Sequence, residues 1–252
     1  MGTVFVAAAV IATIFTWWTP SSFLPAESAG ALAVALATQA SITQATPIPA
    51  TALPPLRGIG IISGHSGENP AVPGVPDPGA VCDDGLTEAE VNRTIAELAA
   101  DMLRSEGYQA EILNEWDERL NGYRAAALVS VHTDSCAYVN ESATGFKVAT
   151  LVEAQSNDAA SQLVACLVAR YADATGLPFH PSVTYDMTQY HTFREIDPAT
   201  PGAIIEVGFL YMDRDLLTQH PEQAARGVAD GILCYLRQES VEREVVGSEG
   251  EQ

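Results

Sequence analysis

The sequence predicts an α/β fold: one domain with a mostly parallel sheet and helices on both of its faces. Three observations predict it. Apolar, β-branched runs recur at Ile59–Ile62, Leu128–Val131 and Ala203–Val207, and stretches of helical periodicity separate them. Residues 57–238 are also long enough to bury one substantial core, and no internal repeat divides them.

The elements follow in order. Ile59 to Ile62 form a buried strand that stops at Ser63-Gly64-His65-Ser66-Gly67, where glycine lets the backbone turn and leaves an imidazole at the strand's carboxyl end. A helix from Thr87 to Glu106 begins at a capping box, with Thr87 as N-cap and Glu90 reaching back to it. Tyr108 to Leu113 reads as a strand. Leu128 to Val131 is another, and it ends on His132 as the first ended near His65. Phe146 to Val152 is a further strand, and Asp158 to Thr175 is a helix closed by Gly176 with Pro178 beyond. A long irregular stretch, Leu177 to Ala203, precedes the central strand Ala203 to Val207. Pro221 opens a last helix, running through about Arg237, with Ala224, Val228, Ile232, Tyr235 and Leu236 on its packing side.

The first helix carries the chemistry. Val91, Ile95, Leu98 and Met102 recur at spacings of three and four, and three residues before Val91 stands Glu88, on the same core-facing side. A carboxylate facing the core costs roughly several kcal/mol unless compensated, and a cation is the usual remedy. Glu88 could instead favour the helix dipole at a rim. A lone strand-end histidine is ordinarily a hydrogen-bonded core residue. Two such histidines with a core-facing Glu form an open pattern of three zinc ligands, which leaves a fourth position for water.

The ordered motifs Gly64-His65, Asp77-Pro78-Gly79-Ala80, Gly85 to Asn92 (GLTEAEVN), Ser130-Val131-His132 and Ile204 to Leu210 (IIEVGFL) resemble the zinc-dependent N-acetylmuramoyl-L-alanine amidases, which cut peptidoglycan. The resemblance spans about Arg57 to Leu236. It implies that His65, Glu88 and His132 hold one Zn2+ and that Glu206 is the catalytic acid/base. It also implies a mixed, roughly six-stranded sheet. Glu206 ends an apolar strand, as His65 and His132 do, and open α/β sheets gather ligands at strand carboxyl ends. Tyr211-Met212-Asp213 replaces the family's small-residue and asparagine turn, and an Ala-Asn pair customary near His132 is lacking; both departures bear on substrate fit.

Four cysteines offer a rival. Cys82 and Cys136 could join the two histidines in a closed structural site. In an exported chain an even count reads first as disulfides, and four cysteines permit three connectivities; the favoured one pairs Cys82 with Cys136, both in loops near the histidines, and Cys166 with Cys234, both on helices. Export rests on the apolar segment Val4 to Trp18 within residues 1–40, either a cleaved signal peptide or an uncleaved membrane anchor, although no Lys or Arg precedes Arg57. Residues 41–56 form a Pro/Thr-rich linker and residues 239–252 an acidic, solvated tail. The domain is expected outside the cytoplasm, as a secreted or membrane-tethered monomer.

Charge narrows the partners. The formal net charge is -20, and Glu27 is the one charged residue before Arg57. Nucleic acid is therefore excluded as a partner, and recognition of an anionic cell wall must be local, in a cleft. His180, Tyr190, His191 and Arg194 lie in the irregular stretch and read as surface residues or as cleft lining; His220 reads as the start of the last helix. Three readings result: a peptidoglycan amidase, a zinc hydrolase of another amide such as an exported peptide or poly-γ-glutamate, and a non-catalytic wall-binding protein. A retained Glu206 argues against the last.

Overall fold

The computed structural model describes residues 58–151 and 158–241. The expected N-terminal signal or anchor, the linker and residues 242–252 of the tail lie outside the described residues. Five strands and seven helices follow one another: β1 (Gly58–Ser63), α1 (Glu88–Ser105), β2 (Gln109–Asn114), a 3-10 turn (Glu118–Leu120), β3 (Ala127–Asp134), β4 (Lys147–Ala149), α2 (Asp158–Thr175), α3 (Tyr185–Thr188), α4 (Thr192–Glu195), β5 (Gly202–Phe209), α5 (Arg214–Gln219) and α6 (Pro221–Leu236), the 3-10 turn being counted among the seven.

The sheet order is β2-β1-β3-β5-β4. The first four strands are parallel, and β4 runs antiparallel to β5 at the edge. These are the five strands expected, except that β4 covers only Lys147–Ala149 of the run Phe146 to Val152, whose last residue lies outside the described residues. The resemblance implied roughly six strands, and among the described residues there are five. At the β4 edge Phe179 makes a single parallel bridge to Phe146, and Pro178 and Pro181, which have no N–H with which to extend a ladder, flank it.

One face of the sheet carries the main core. Ile59 and Ile61, Val129 and Val131, and Ala203, Ile205 and Val207 pack there with α1, α2 and α6. The last helix lies close to α2 because Gly227 and Gly231 face Tyr171 and Leu167. A Cβ on either glycine would sit 2.7 Å from the facing side chain. The opposite face buries Ile62, Leu113, Leu120 and Leu128 with Ile196, and Ala149 and Ile204 with Met187 and Tyr190. The 3-10 turn, α3 and α4 cover it, so the stretch expected to be irregular contains two one-turn helices.

The capping box forms as expected, with Glu90 N–H bonded to Thr87 Oγ1 and Thr87 N–H to Glu90 Oε2. The buried stripe of α1 is broader than the periodicity suggested. Ala96, Ala99, Ala100 and Leu103 are fully buried, while Leu98 and Met102 keep some surface, because the helix packs on the sheet and on α6 at once. Both disulfides pair as favoured, Cys82 with Cys136 and Cys166 with Cys234. All four cysteines are thereby used, which removes the closed two-histidine, two-cysteine site. Glu239, expected to open a solvated tail, instead accepts from Arg170 at 2.7 Å.

Candidate active site

Three side chains from three elements meet at the carboxyl edge of the sheet. His65 follows β1, Glu88 opens α1 and His132 lies in β3. One donor atom from each lies within 4.8 Å of the others, so the group could hold a metal ion. Glu88 Oε1 is 3.5 Å from His65 Nε2 and 3.4 Å from His132 Nδ1, which identifies the inward-facing atoms.

The backbone was shaped to allow this approach. A Cβ at Gly64 would lie 2.5 Å from the His132 ring, and one at Gly79 would lie 2.7 Å from Glu88 Oε2 and 2.8 Å from the His65 ring. Gly79 also holds φ +63, a conformation that costs other residues more. His65 itself sits at φ +58, unusual for a non-glycine residue. Its N–H is tied to Glu115 Oε2 at 3.0 Å, one of the contacts that hold the strained turn.

Each member of the group is held from behind. Asp77 Oδ2 lies 3.1 Å from His65 Nδ1. Glu88 Oε1 accepts from Thr133 N–H and Asn92 Nδ2, and Oε2 accepts from Ala80 N–H. Asn92, one turn after Glu88 and fully buried, also donates to Gly64 O and accepts from Thr133 Oγ1, which links all three elements. Glu115, at the end of β2, faces His132 Nε2 at 3.3 Å. The same carboxylate accepts from Tyr190 OH at 2.8 Å and meets His191 Nε2 at 3.2 Å, and His191 stacks on Trp116.

The electrostatics favour a cation at the centre. Burial alone would push His132 down, yet Glu115 and Glu88 hold it well above the ordinary imidazole range. Burial would raise Glu88 and Glu115 too, but His132 and its neighbours outweigh that and both carboxyls are lowered. A buried histidine that takes up a proton between two carboxylates marks a place where a metal ion, which displaces such a proton, fits. Two imidazoles and a carboxylate are also a donor set suited to Zn2+ with one position open.

Glu206 stands beside this group. It is register-paired with His132 on the neighbouring strand, and paired residues share a face of the sheet. The side chain keeps some surface, but its Oε2 is buried with no hydrogen-bond partner. Burial, with Glu88 and Asp134 adding to it, pushes its pKa up to about 8 against the pull of His132 and Lys147.

A family model described as N-acetylmuramoyl-L-alanine amidase matches residues 59–234. The chain belongs to that family. Among solved structures, this amidase chain is similar to N-acetylmuramoyl-L-alanine amidase AmiC2 of Nostoc punctiforme, with 22% identity, a TM-score of 0.55, and coverage of 71% of this chain and 97% of that one. An N-acetylmuramoyl-L-alanine amidase of Clostridium difficile 630 gives 20% and 0.55, covering 73% and 98%. Ami1 of Mycobacterium smegmatis gives 19% and 0.54, covering 72% and 97%. At these identities the likeness establishes the shared fold. A comparison with curated proteins finds no match.

The amidase fold thus brings together all four expected site residues, His65, Glu88, His132 and Glu206. The sequence reading missed Glu115, Asn92 and Lys147, and it set Tyr190 and His191 among surface candidates. Tyr190 is buried with its hydroxyl between Glu115 and Ser130, and His191 is half-buried against the same carboxylate. His180 packs against Phe209 and its ring nitrogen meets Ser182, Arg194 is exposed beside Gln189, and His220 stands at the N-cap of α6. Asp213, in the turn that departs from the family pattern, is buried. It accepts from the N–H groups of Gly145 and Phe209 and from Thr144, so it pins the start of β4 to the end of β5.

Proposed function

We propose that the chain hydrolyses the amide between N-acetylmuramic acid and L-alanine in peptidoglycan, with His65, Glu88 and His132 as ligands of one Zn2+ and Glu206 as general acid/base. The observation that carries the reading is Glu206: a carboxyl with a buried, unpartnered oxygen, register-paired with His132 beside a group of three metal-compatible donors. A wall-binding protein has no use for such a group.

Zn2+ bound there supplies Lewis acidity: it brings the pKa of water down to about 7 and polarises a scissile carbonyl. The chain's own residues do the rest. Asn92 and Ala80 N–H fix the Glu88 carboxylate, and Glu115 opposite His132 Nε2 favours the tautomer that carries its proton there, leaving Nδ1 free as a donor. Glu206 takes the proton of the attacking water and passes it to the alanine nitrogen as the amide bond breaks. A pKa pushed up to about 8 suits a group that must both accept and donate near neutral pH.

Action outside the cytoplasm is part of the proposal. The two disulfides support it, since reducing compartments keep thiols free. No described helix is long and apolar enough to cross a membrane. Incubation of the protein with purified muropeptides, with and without a chelator, tests the reading: release of intact stem peptide that stops on chelation is expected. Cleavage elsewhere in the substrate, or chelator-resistant cleavage, overturns it.

A further inference from the structure

The 252-residue chain contains a single lysine, Lys147. It sits in β4 with only 5% of its surface exposed. Register places it in one row with the proposed machinery: His132 pairs with Glu206 and Glu206 pairs with Lys147, so the three side chains share a face across β3, β5 and β4. The ammonium reaches across β5 to Asp134 Oδ2 and lies 4.9 Å over the ring of Phe209. The ring of His180 also packs on Phe209, at 5.4 Å between centroids.

A plain structural strap between β3 and β4 does not account for this choice. A buried ion pair is weak evidence for stability, because desolvation offsets most of its attraction, and apolar residues of similar volume do as well. Lys147 also carries three N–H donors, of which Asp134 takes one and the Phe209 ring face occupies another direction. A compact, rotatable cation with a donor unspent, in a chain of 32 acidic residues, is built to receive an anionic oxygen.

The proposed substrate has such an oxygen close to the scissile bond. In peptidoglycan stem peptides the residue after L-alanine is D-glutamate, linked onward through its side-chain carboxyl, so its α-carboxyl is either free or amidated. We propose that Lys147, beside Glu206, binds the free α-carboxylate of this second stem residue and makes the chain prefer acid over amide stem peptides. This inference rests on the amidase reading.

The test measures kcat/KM on a muramoyl peptide carrying L-alanyl-D-glutamate and on its D-isoglutamine counterpart, for the wild type, Lys147→Met and Lys147→Arg, with melting and metal content recorded for each. The wild type is expected to favour the acid by about 10- to 100-fold, the scale of one hydrogen bond to a charged group. Lys147→Met should bring the ratio near one, chiefly through KM for the acid, and Lys147→Arg should keep a preference. Equal cleavage of both by the wild type overturns the inference and leaves the amidase reading standing, as does a preference that survives in folded Lys147→Met. Cleavage of neither by the wild type overturns both. If Lys147→Met does not fold, Lys147→Gln takes its place, and an acid preference that persists in the folded Gln variant overturns the inference.

Discussion

Glu115 offers the sharpest test of how the metal-compatible group is held. Its two oxygens divide the work: Oε2 faces His132 Nε2 at 3.3 Å and accepts from His65 N–H at 3.0 Å, while Oε1 accepts from Tyr190 OH at 2.8 Å and meets His191 Nε2 at 3.2 Å. Glu115→Gln keeps the volume but places an NH2 where one oxygen stood. The tolerable orientation puts the NH2 toward Tyr190, whose hydroxyl can turn to donate to Ser130 Oγ 3.0 Å away, and leaves a neutral carbonyl for His132. Glu115→Ala removes the acceptor of His65 N–H, Tyr190 OH and His191 Nε2 together with the charge that faces His132. Outer partners of metal-binding histidines are each worth about 10- to 100-fold in metal affinity. Loss of charge alone should then weaken Zn2+ binding about 10-fold in the Gln variant, and loss of the whole carboxylate about 100-fold in Ala. Competition against a chromophoric chelator measures both. A folded Ala variant whose affinity stays within about twofold of the wild type would refute the role of Glu115, as would a Gln variant weaker than Ala.

Gly64→Ala should lose metal with little change elsewhere in the fold, since its new Cβ would lie 2.5 Å from the His132 ring; unchanged metal stoichiometry in this variant counts against the crowded approach. Glu206→Gln should retain metal yet lose at least about 10²-fold in turnover, and near-normal hydrolysis would remove its acid/base role. The same residue gives a signature in metal-stripped protein. Its folded pKa, about 8, lies above the ordinary 4.5, so between those values the folded state holds a proton the unfolded state has lost, and stability falls as pH rises through that window. His132 adds a loss of the same sign above its ordinary 6.5, whereas Glu88 and Glu115, with lowered pKa values, lose their contribution only on the acid side of 4.5. Denaturant melts of wild type and Glu206→Gln from pH 5 to 8 should therefore diverge by on the order of a few kcal/mol, the wild type losing more; parallel curves would show that Glu206 is not a buried neutral carboxyl.

What could be read from the sequence was what short segments reveal. His65 and His132 stand out because each directly or nearly follows an apolar run, although β3 continues past His132 to Asp134, and Glu88 because it falls on the helix stripe three residues before Val91. Asn92 was within reach by the same rule. It lies four residues after Glu88 and faces the same way, and a fully buried amide there needs partners, which Gly64 O, Glu88 and Thr133 provide. Glu115 follows β2 as His65 follows β1, so the carboxyl-edge argument applied to it too. Lys147 was the one lysine in an apolar strand.

The outer layer was not legible, because its partners are far apart in the chain. Glu115 meets Tyr190 and His191 across 75 and 76 residues, and both partners lie in a stretch whose sequence carries no helical or strand period. Nothing local distinguishes Tyr190 from the exposed Tyr185 five residues earlier. The difference arises when α3 and α4 close over the second face of the sheet, and the tyrosine hydroxyl is left with one buried carboxylate and one buried serine to satisfy it. A sheet edge gathers its first layer from strand ends and a helix start, and these are written in the apolar runs and the helix stripe. The layer that orients the first is chosen by hydrogen-bond satisfaction after closure, so it follows from three-dimensional burial and not from spacing.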